Sequence, residues 1–229
     1  MITSMTVDAV SLGSTTARGA TLTSMTSMTA KRRIRRKPED AEREILDAAE
    51  ALLKETRFRD LTVDAVAAAA NMRRSNFYNY FKDRNELVMR LVDRIGGEMF
   101  AATRLWLESE NPDRVAALRQ GLRDVVRIWS RHADVLAAMN EASYHDEVAQ
   151  RYYRGGVVQE YIDQIAKLLR REKRQGLTKV ANVNEVARAL ILLNVNYMTE
   201  RVTMDNARPE AVASVLAEIW IATLYPDAT

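Results

Sequence analysis

The chain contains no cysteine, which excludes a disulfide scaffold, a thiolate zinc site and a cysteine nucleophile. Histidine occurs only at His132 and His145, too few for a multi-histidine metal centre. Glycine (8) and proline (4) are scarce, so the turn chemistry of a many-stranded β fold is missing and long helical patterns are expected. No apolar run reaches the roughly 18 residues of a membrane-crossing helix, and no membrane partner is expected. There is no glycine-rich phosphate loop and no metal-ligand spacing. His145 beside Asp146 is a weak acid–base pair that reads more simply as a helix junction. An enzyme is therefore not expected, and neither is a cofactor. What remains is a 229-residue chain, 47% hydrophobic, able to fold one or two domains around real cores.

Net charge is small, +3, but unevenly spread. Residues 31–91 carry 15 basic against 11 acidic side chains, and residues 92–229 carry 18 against 19. Six of the seven residues from Lys31 to Lys37 are basic, Ile34 being the exception. A block this short and dense is an electrostatic device, not a general surface property.

Residues 1–30 are rich in Ser, Thr, Met and Ala without helical or strand period, a disordered leader by composition. A functional start near Met25 or Met28 is the plainer alternative to a targeting role, because Arg18 is the leader's one basic residue. From Pro38 the pattern is helical. Ile45, Ala48, Ala49, Leu52 and Leu53 form one apolar face. Thr62 is a ready N-cap for a short second helix, Val63 to Ala70. Asn71 stands in a break that suits a left-handed residue. A third helix is expected from about Arg73 to Tyr80, and Asp83 caps a fourth that continues to about Leu107. Three short helices with a tight turn between the second and third make a helix-turn-helix. Further helices are expected near 112–131 (with Pro112 at the first helical position), 133–144, 146–175, 183–204 and 209–225. The expected fold is all-α: leader 1–30, basic arm 31–37, helix-turn-helix domain 38–83, and a helical ligand-binding and dimerisation domain 84–229.

Residues 40–91 resemble the TetR (tetracycline-repressor) family of bacterial transcription regulators. The resemblance is carried by Phe58-Arg59-Asp60-Leu61-Thr62-Val63-Asp64-Ala65-Val66-Ala67. It continues in Asn71-Met72-Arg73-Arg74-Ser75-Asn76-Phe77-Tyr78-Asn79-Tyr80-Phe81-Lys82-Asp83-Arg84-Asn85-Glu86-Leu87. The sequence departs from the family pattern at Asn71 (usually Gly), Arg73 (usually a capping Ser), Tyr80 (usually His) and Arg84 (usually Lys). More narrowly, 196–201 and 215–225 resemble the last two helices of regulators of the ethionamide-resistance type. That likeness implies a long apolar ligand tunnel in the C-terminal domain.

In a helix-turn-helix the second helix enters the major groove and its N-terminal side chains reach base edges. Here those are Arg73, Arg74, Ser75 and Asn76. Arginine pairs two-pronged with guanine and asparagine with adenine. Thr62, Tyr78, Tyr80 and Arg84 are expected at phosphates, where they position the domain. Lys31, Arg32, Arg33, Arg35, Arg36 and Lys37 are expected to form an arm along the backbone or in the adjacent minor groove. Solvated cations and a nonspecific charged tail are the plainer alternatives.

The last two helices are apolar nearly all round, so both sides need cover. Leu190, Leu193, Val212, Val215, Leu216, Ile219, Trp220 and Thr223 are expected at a homodimer interface matching a palindromic operator. A wholly intramolecular core is the alternative. Met99, Phe100, Trp106, Trp129, Met139, Tyr144, Tyr161 and Tyr197 would ordinarily be core. The resemblance implies that some of them line a pocket for a hydrophobic small-molecule effector. Asn194 and Asn196, inside an apolar helix, need a ligand or cross-dimer partner once buried. Arg170, Arg171, Lys173 and Arg174 could receive acyl-coenzyme A phosphates, though cations at a helix end need no such role. The expectation is a cytoplasmic, ligand-released DNA-binding repressor. Its rival is a DNA-binding regulator without a ligand, controlled by a protein partner or by abundance.

Overall fold

A computed structural model describes residues 37–108 and 113–228 of the chain. Helix α1 (Pro38–Leu53) opens with proline in its first turn and Glu39 and Asp40 beside it, where acids complement the helix dipole. It buries Ala41, Ile45, Leu46, Ala49 and Leu53, a stripe at helical spacing. A 3-10 turn, Phe58–Asp60, leads to α2 (Val63–Ala69). The Thr62 hydroxyl accepts from the Ala65 amide at 3.1 Å, the cap its position promised. Helix α2 ends in a Schellman motif: Met72 N–H donates to Ala67 O at 2.9 Å and Asn71 N–H to Ala68 O at 3.0 Å. Asn71 takes φ 52° there, so asparagine fills the left-handed position usually given to glycine.

Helix α3 (Arg74–Phe77) is a single turn, shorter than the expected span to Tyr80. Arg73 occupies its N-cap without a side-chain cap bond, so the first-turn amides lack the partner that a serine would supply. Helix α4 (Arg84–Glu108) begins where Asp83 accepts from the Glu86 amide at 2.9 Å, while Glu86 accepts from Lys82 N–H at 2.7 Å. At 25 residues it is the longest helix described and packs against both α1 and the rest of the molecule.

Asp113 caps α5 (Arg114–Arg131), accepting from Ala116 N–H at 2.8 Å. The expectation of Pro112 as first helical residue thus gives way to an aspartate N-cap two residues before Val115, with Pro112 itself outside the described residues. Helix α6 (Ala133–His145) follows, and Asp146 then caps the short α7 (Glu147–Gln150). The span expected as one helix over 146–175 is divided: a π-helical stretch, Arg151–Val158, stands between α7 and α8 (Gln159–Arg174). Gly155 and Gly156 lie in that stretch with open space where a Cβ would sit, so close packing is not what selects glycine there. Their helix-weakening effect fits the wider turns. Helix α8 ends at Gly176, φ 73°, in a second Schellman motif. Helix α9 (Val183–Met198) likewise passes into a π stretch, Thr199–Met204, before α10 (Pro209–Leu224). No strand occurs among the described residues.

Helix α5 packs against α4 and α10, and α8 against α9. Three of the four cations at the end of α8 serve as clamps. Arg170 donates to Asn184 Oδ1 (2.7 Å), Arg171 to Leu107 O (2.6 Å) and Lys173 to Ala181 O (2.8 Å).

Candidate functional site

The outer surface of the α1–α3 head is built from a buried anchor and the residues around it. Phe77 is 0% exposed and Phe81 1%, their rings 5.4 Å apart in the core, so the faces of α3 are fixed. With Phe77 inward, Arg73, Arg74, Ser75, Asn76 and Tyr78 are all exposed. The Arg73 guanidinium has no hydrogen-bond or ion-pair partner among the described residues, while its carbonyl accepts from Asn76 N–H at 2.9 Å. Arg74 is held instead. Its guanidinium pairs with the Asp64 carboxylate of α2, donates to Tyr78 Oη at 3.1 Å, and lies 5.8 Å from the Tyr78 ring centre. The Tyr78 hydroxyl and Asp64 together raise the Arg74 pKa above its ordinary value. Asp64 has no place in the expected DNA-binding set, and nothing short of tertiary contact marks it.

Thr62 is exposed at the N-terminus of α2, with its hydroxyl proton free to donate outward. Tyr78 is 47% exposed, whereas Tyr80 is half-buried against the apolar core. Arg84 departs from its expected role. Its Nη1 donates to the carbonyls of Phe58 (3.2 Å), Arg59 (2.9 Å) and Leu61 (3.0 Å), and its guanidinium stacks 4.9 Å from the Phe58 ring centre. These contacts fasten the turn before α2 onto α4, so Arg84 positions the head. Of the basic arm, Lys37 sits extended at the N-cap of α1, and Lys31, Arg32, Arg33, Arg35 and Arg36 lie outside the described residues.

The head is tied to α4 by ion pairs. Arg90 reaches Glu42 at 3.0 Å, and Arg94 reaches Asp47 at 2.6 Å and also Glu50. Buried His132, between α5 and α6, hydrogen-bonds Glu50 through Nδ1 and lies 3.5 Å from Glu98 through Nε2. Polar contacts thus join α1 to α4 and to the α5–α6 junction.

In the body, several expected ligand or dimer residues turn out to be partners of one another. Asn194 is buried and its Oδ1 accepts from Trp220 Nε1 at 2.9 Å, so the amide oxygen is satisfied within the chain. Asn196 is exposed and donates to Leu192 O one turn back. Trp129 donates to Thr203 Oγ1 at 3.1 Å. Met99, Trp106 and Met139 are buried core, with the Trp106 ring edge-on to Trp220 at 5.6 Å. Phe100 and Tyr161 stack at 4.1 Å, and Tyr161 donates to Gly96 O at 3.0 Å. Tyr144 is 71% exposed on α6 and cannot line an interior pocket. Tyr197 is half-buried against the core.

For the expected dimer face, Val212, Leu216 and Trp220 are corrected to intrachain core, because α10 turns that side onto its own domain, and so is Leu190 on α9, which packs against α8. Val215 and Ile219, each 38% exposed, and Thr223 remain on the open side of α10, with Leu193 half-buried on α9.

A cavity of about 560 Å³ that sequence reasoning did not anticipate lies where α5 begins. Its lining includes Arg114, Val115, Leu177, Lys179 and Tyr225. Behind it Glu172 is fully buried, accepting from Tyr225 Oη at 2.8 Å and 3.5 Å from Arg114 Nη1. Burial raises the Glu172 carboxyl pKa against the opposing pull of Tyr225 and Arg114.

A one-turn recognition helix behind a Schellman turn, on a three-helix head clamped to a long helix of an all-α body, defines a helix-turn-helix regulator. Comparison with known proteins is consistent. Residues 45–91 match the family described as bacterial regulatory proteins, tetR family, and residues 118–226 match the C-terminal domain of the transcriptional regulator EthR, together more than half of the chain. The chain belongs to the TetR family of transcriptional regulators. It is 25% identical over 202 residues to the HTH-type transcriptional regulator EthR of Mycolicibacterium smegmatis, covering 85% of this chain and 91% of the relative. With the EthR of Mycobacterium tuberculosis the identity is 28% over 207 residues, covering 86% and 93%. Among solved structures, FadR of Thermus thermophilus, a TetR-family repressor in complex with lauroyl-CoA, shares the fold. Its TM-score is 0.58 at 22% identity, over 79% of this chain and 92% of that one.

Proposed function

We propose that this regulator binds a palindromic operator as a homodimer, acts as a repressor, and is released by a largely apolar small molecule. The observation that carries the DNA reading is the run Arg73-Arg74-Ser75-Asn76, exposed at the start of a helix whose far side is anchored by fully buried Phe77. Arg73 and Arg74 read guanines and Asn76 an adenine, while Thr62, Tyr78, Tyr80 and the arm Lys31–Lys37 hold phosphates. Asp64 keeps Arg74 extended toward the groove. The open side of α10, with Val215, Ile219 and Thr223, and the neighbouring Leu193 meet their copies across a two-fold axis, which places two heads on two half-sites. Selection of bound sequences from a random DNA pool tests this reading. The expected outcome is a palindrome with guanines in each half-site, and enrichment of no sequence, or of a single unrepeated half-site, overturns it.

The ligand enters the helical body and favours a conformer in which α4, through Arg90 and Arg94, moves the head off its spacing. It must bind that conformer more tightly than the DNA-competent one. Lauroyl-CoA binding by the Thermus relative supports a ligand with an apolar chain. A second reading, a regulator with no ligand, is favoured by one specific observation: Asn194, Trp129 and Tyr161 already have internal partners. A thermal-shift screen separates the two. Stabilisation by an apolar compound that also weakens operator binding supports release, and its absence across lipids and aromatic compounds supports the second reading.

A further inference from the structure

We infer that the groove between α4 and α8 is a surface binding site for an anionic amphiphile, separate from the interior of the body and independent of the operator reading. The groove encloses about 350 Å³, within the range of small-molecule sites. Three cations line it: Arg104 from α4, and Lys167 and Arg171 from α8. No carboxylate among the described residues lines it. Arg104 and Lys167 have no ion-pair or hydrogen-bond partner among the described residues. Arg171 is fixed at the groove's edge by its bond to Leu107 O at 2.6 Å.

Lys167 and Arg171 are one helical turn apart, and like charges at that spacing repel. Arg104 brings a third positive charge to the same small volume. Of the acids on α8, Asp163 and Glu160 accept from Gln159 and Gln164, and buried Glu172 interacts with Arg171. A cationic cluster of this kind, with Arg104 and Lys167 unpaired among the described residues, raises the local potential, and a bound anion relieves it. The groove is also apolar beneath. Leu168 is 2% exposed, Leu107 is half-buried, and Phe100 is held flat by its stack on Tyr161. Cations at the rim over an apolar, aromatic floor fit a short-tailed molecule with a phosphate or carboxylate head, the head on the triad and the tail against Phe100 and Leu168.

The test uses the full chain and calorimetric titration with decyl phosphate, decanoate and decyltrimethylammonium, each below its micelle-forming concentration. Decyl phosphate or decanoate is expected to bind with an affinity that falls as salt rises, and whichever binds more tightly identifies the head group. The trimethylammonium analogue is expected not to bind. The double variant R104Q/K167Q, both exposed positions, is expected to bind the preferred anion at least about tenfold more weakly with an unchanged unfolding midpoint. Three results overturn the site: no binding of either anion, equal binding of the cationic analogue, or affinity in the double variant within about threefold of the parent. The last of these places the amphiphile in the interior. None of these readouts involves DNA, so failure here leaves the operator reading standing, and failure there leaves the groove untouched.

Discussion

In the head, the polar residues that bear on function stand in water: Arg73 through Asn76, Thr62 and Tyr78 are exposed around a small apolar anchor. In the body several polar side chains are instead turned inward and paired within the chain. Asn194 meets Trp220, Glu172 meets Tyr225 and Arg114, and Trp129 meets Thr203. Both regions use arginine, asparagine and tyrosine, yet these side chains are left exposed in one and built into the architecture of the other. The difference lies in desolvation. An exposed donor loses little by waiting for DNA, whereas a buried one must be satisfied at once or destabilise the fold.

Substitutions can break that comparison. The largest effect is expected from Trp220→Ala in the body, which removes a ring that is 1% exposed. It should cost about 3–5 kcal/mol, read as a lower unfolding midpoint, with operator affinity retained in the cold where the fold survives. Arg73→Ala should do the reverse. Operator affinity should fall by about 1–3 kcal/mol with the unfolding midpoint unmoved, and a drop in midpoint would mean that Arg73 has a structural role. Asn194→Ala should cost about 1–3 kcal/mol of stability, because Trp220 Nε1 loses its acceptor while buried. An effect on ligand or dimer affinity without loss of stability would reverse the assignment of Asn194 to architecture. Thr62→Ala removes a helix cap and should cost about 1 kcal/mol. Unlike the other variants it should affect both readouts, since the same hydroxyl faces the proposed phosphate.

The smallest effect at neutral pH concerns Glu172. Its carboxyl pKa is raised above the ordinary 4.5 by burial, so the folded state holds the proton longer than the unfolded chain does. Between 4.5 and the raised value, stability therefore falls as pH rises. Glu172→Gln keeps the hydrogen-bonding shape and removes the charge, so the variant's unfolding midpoint should fall less steeply than the parent's over that window. Parallel curves would show that the carboxyl does not titrate there.

Much of the head was legible from sequence because its determinants are local. Thr62 capping Ala65, Asn71 in the left-handed turn, Asp83 before α4 and the inward Phe77 and Phe81 are each set by neighbours within a few residues. The helix boundaries of the body were equally readable, apart from the π stretches at Arg151–Val158 and Thr199–Met204, where ring pitch changes without a change in apolar pattern. Composition and periodicity also pointed to the all-α fold and the recognition helix, since exclusion of other classes and a 3.6-residue period need only the order of residues.

Which of two apolar faces turns inward is not a property of order. Leu216 and Val215 are adjacent in an apolar helix, yet one is 0% exposed and the other 38%, because α5 covers only one side of α10. Arg74 and Arg84 both belong to the basic stretch of the family resemblance, yet Asp64 holds one at the surface and three carbonyls draw the other into the scaffold. Arg104 lies more than 60 residues before Lys167 and Arg171, and the three share a groove only after folding. The sequence by itself determined the helices and most of their caps. The tertiary structure alone decided which partners the polar side chains found, because those contacts join residues that are distant along the chain.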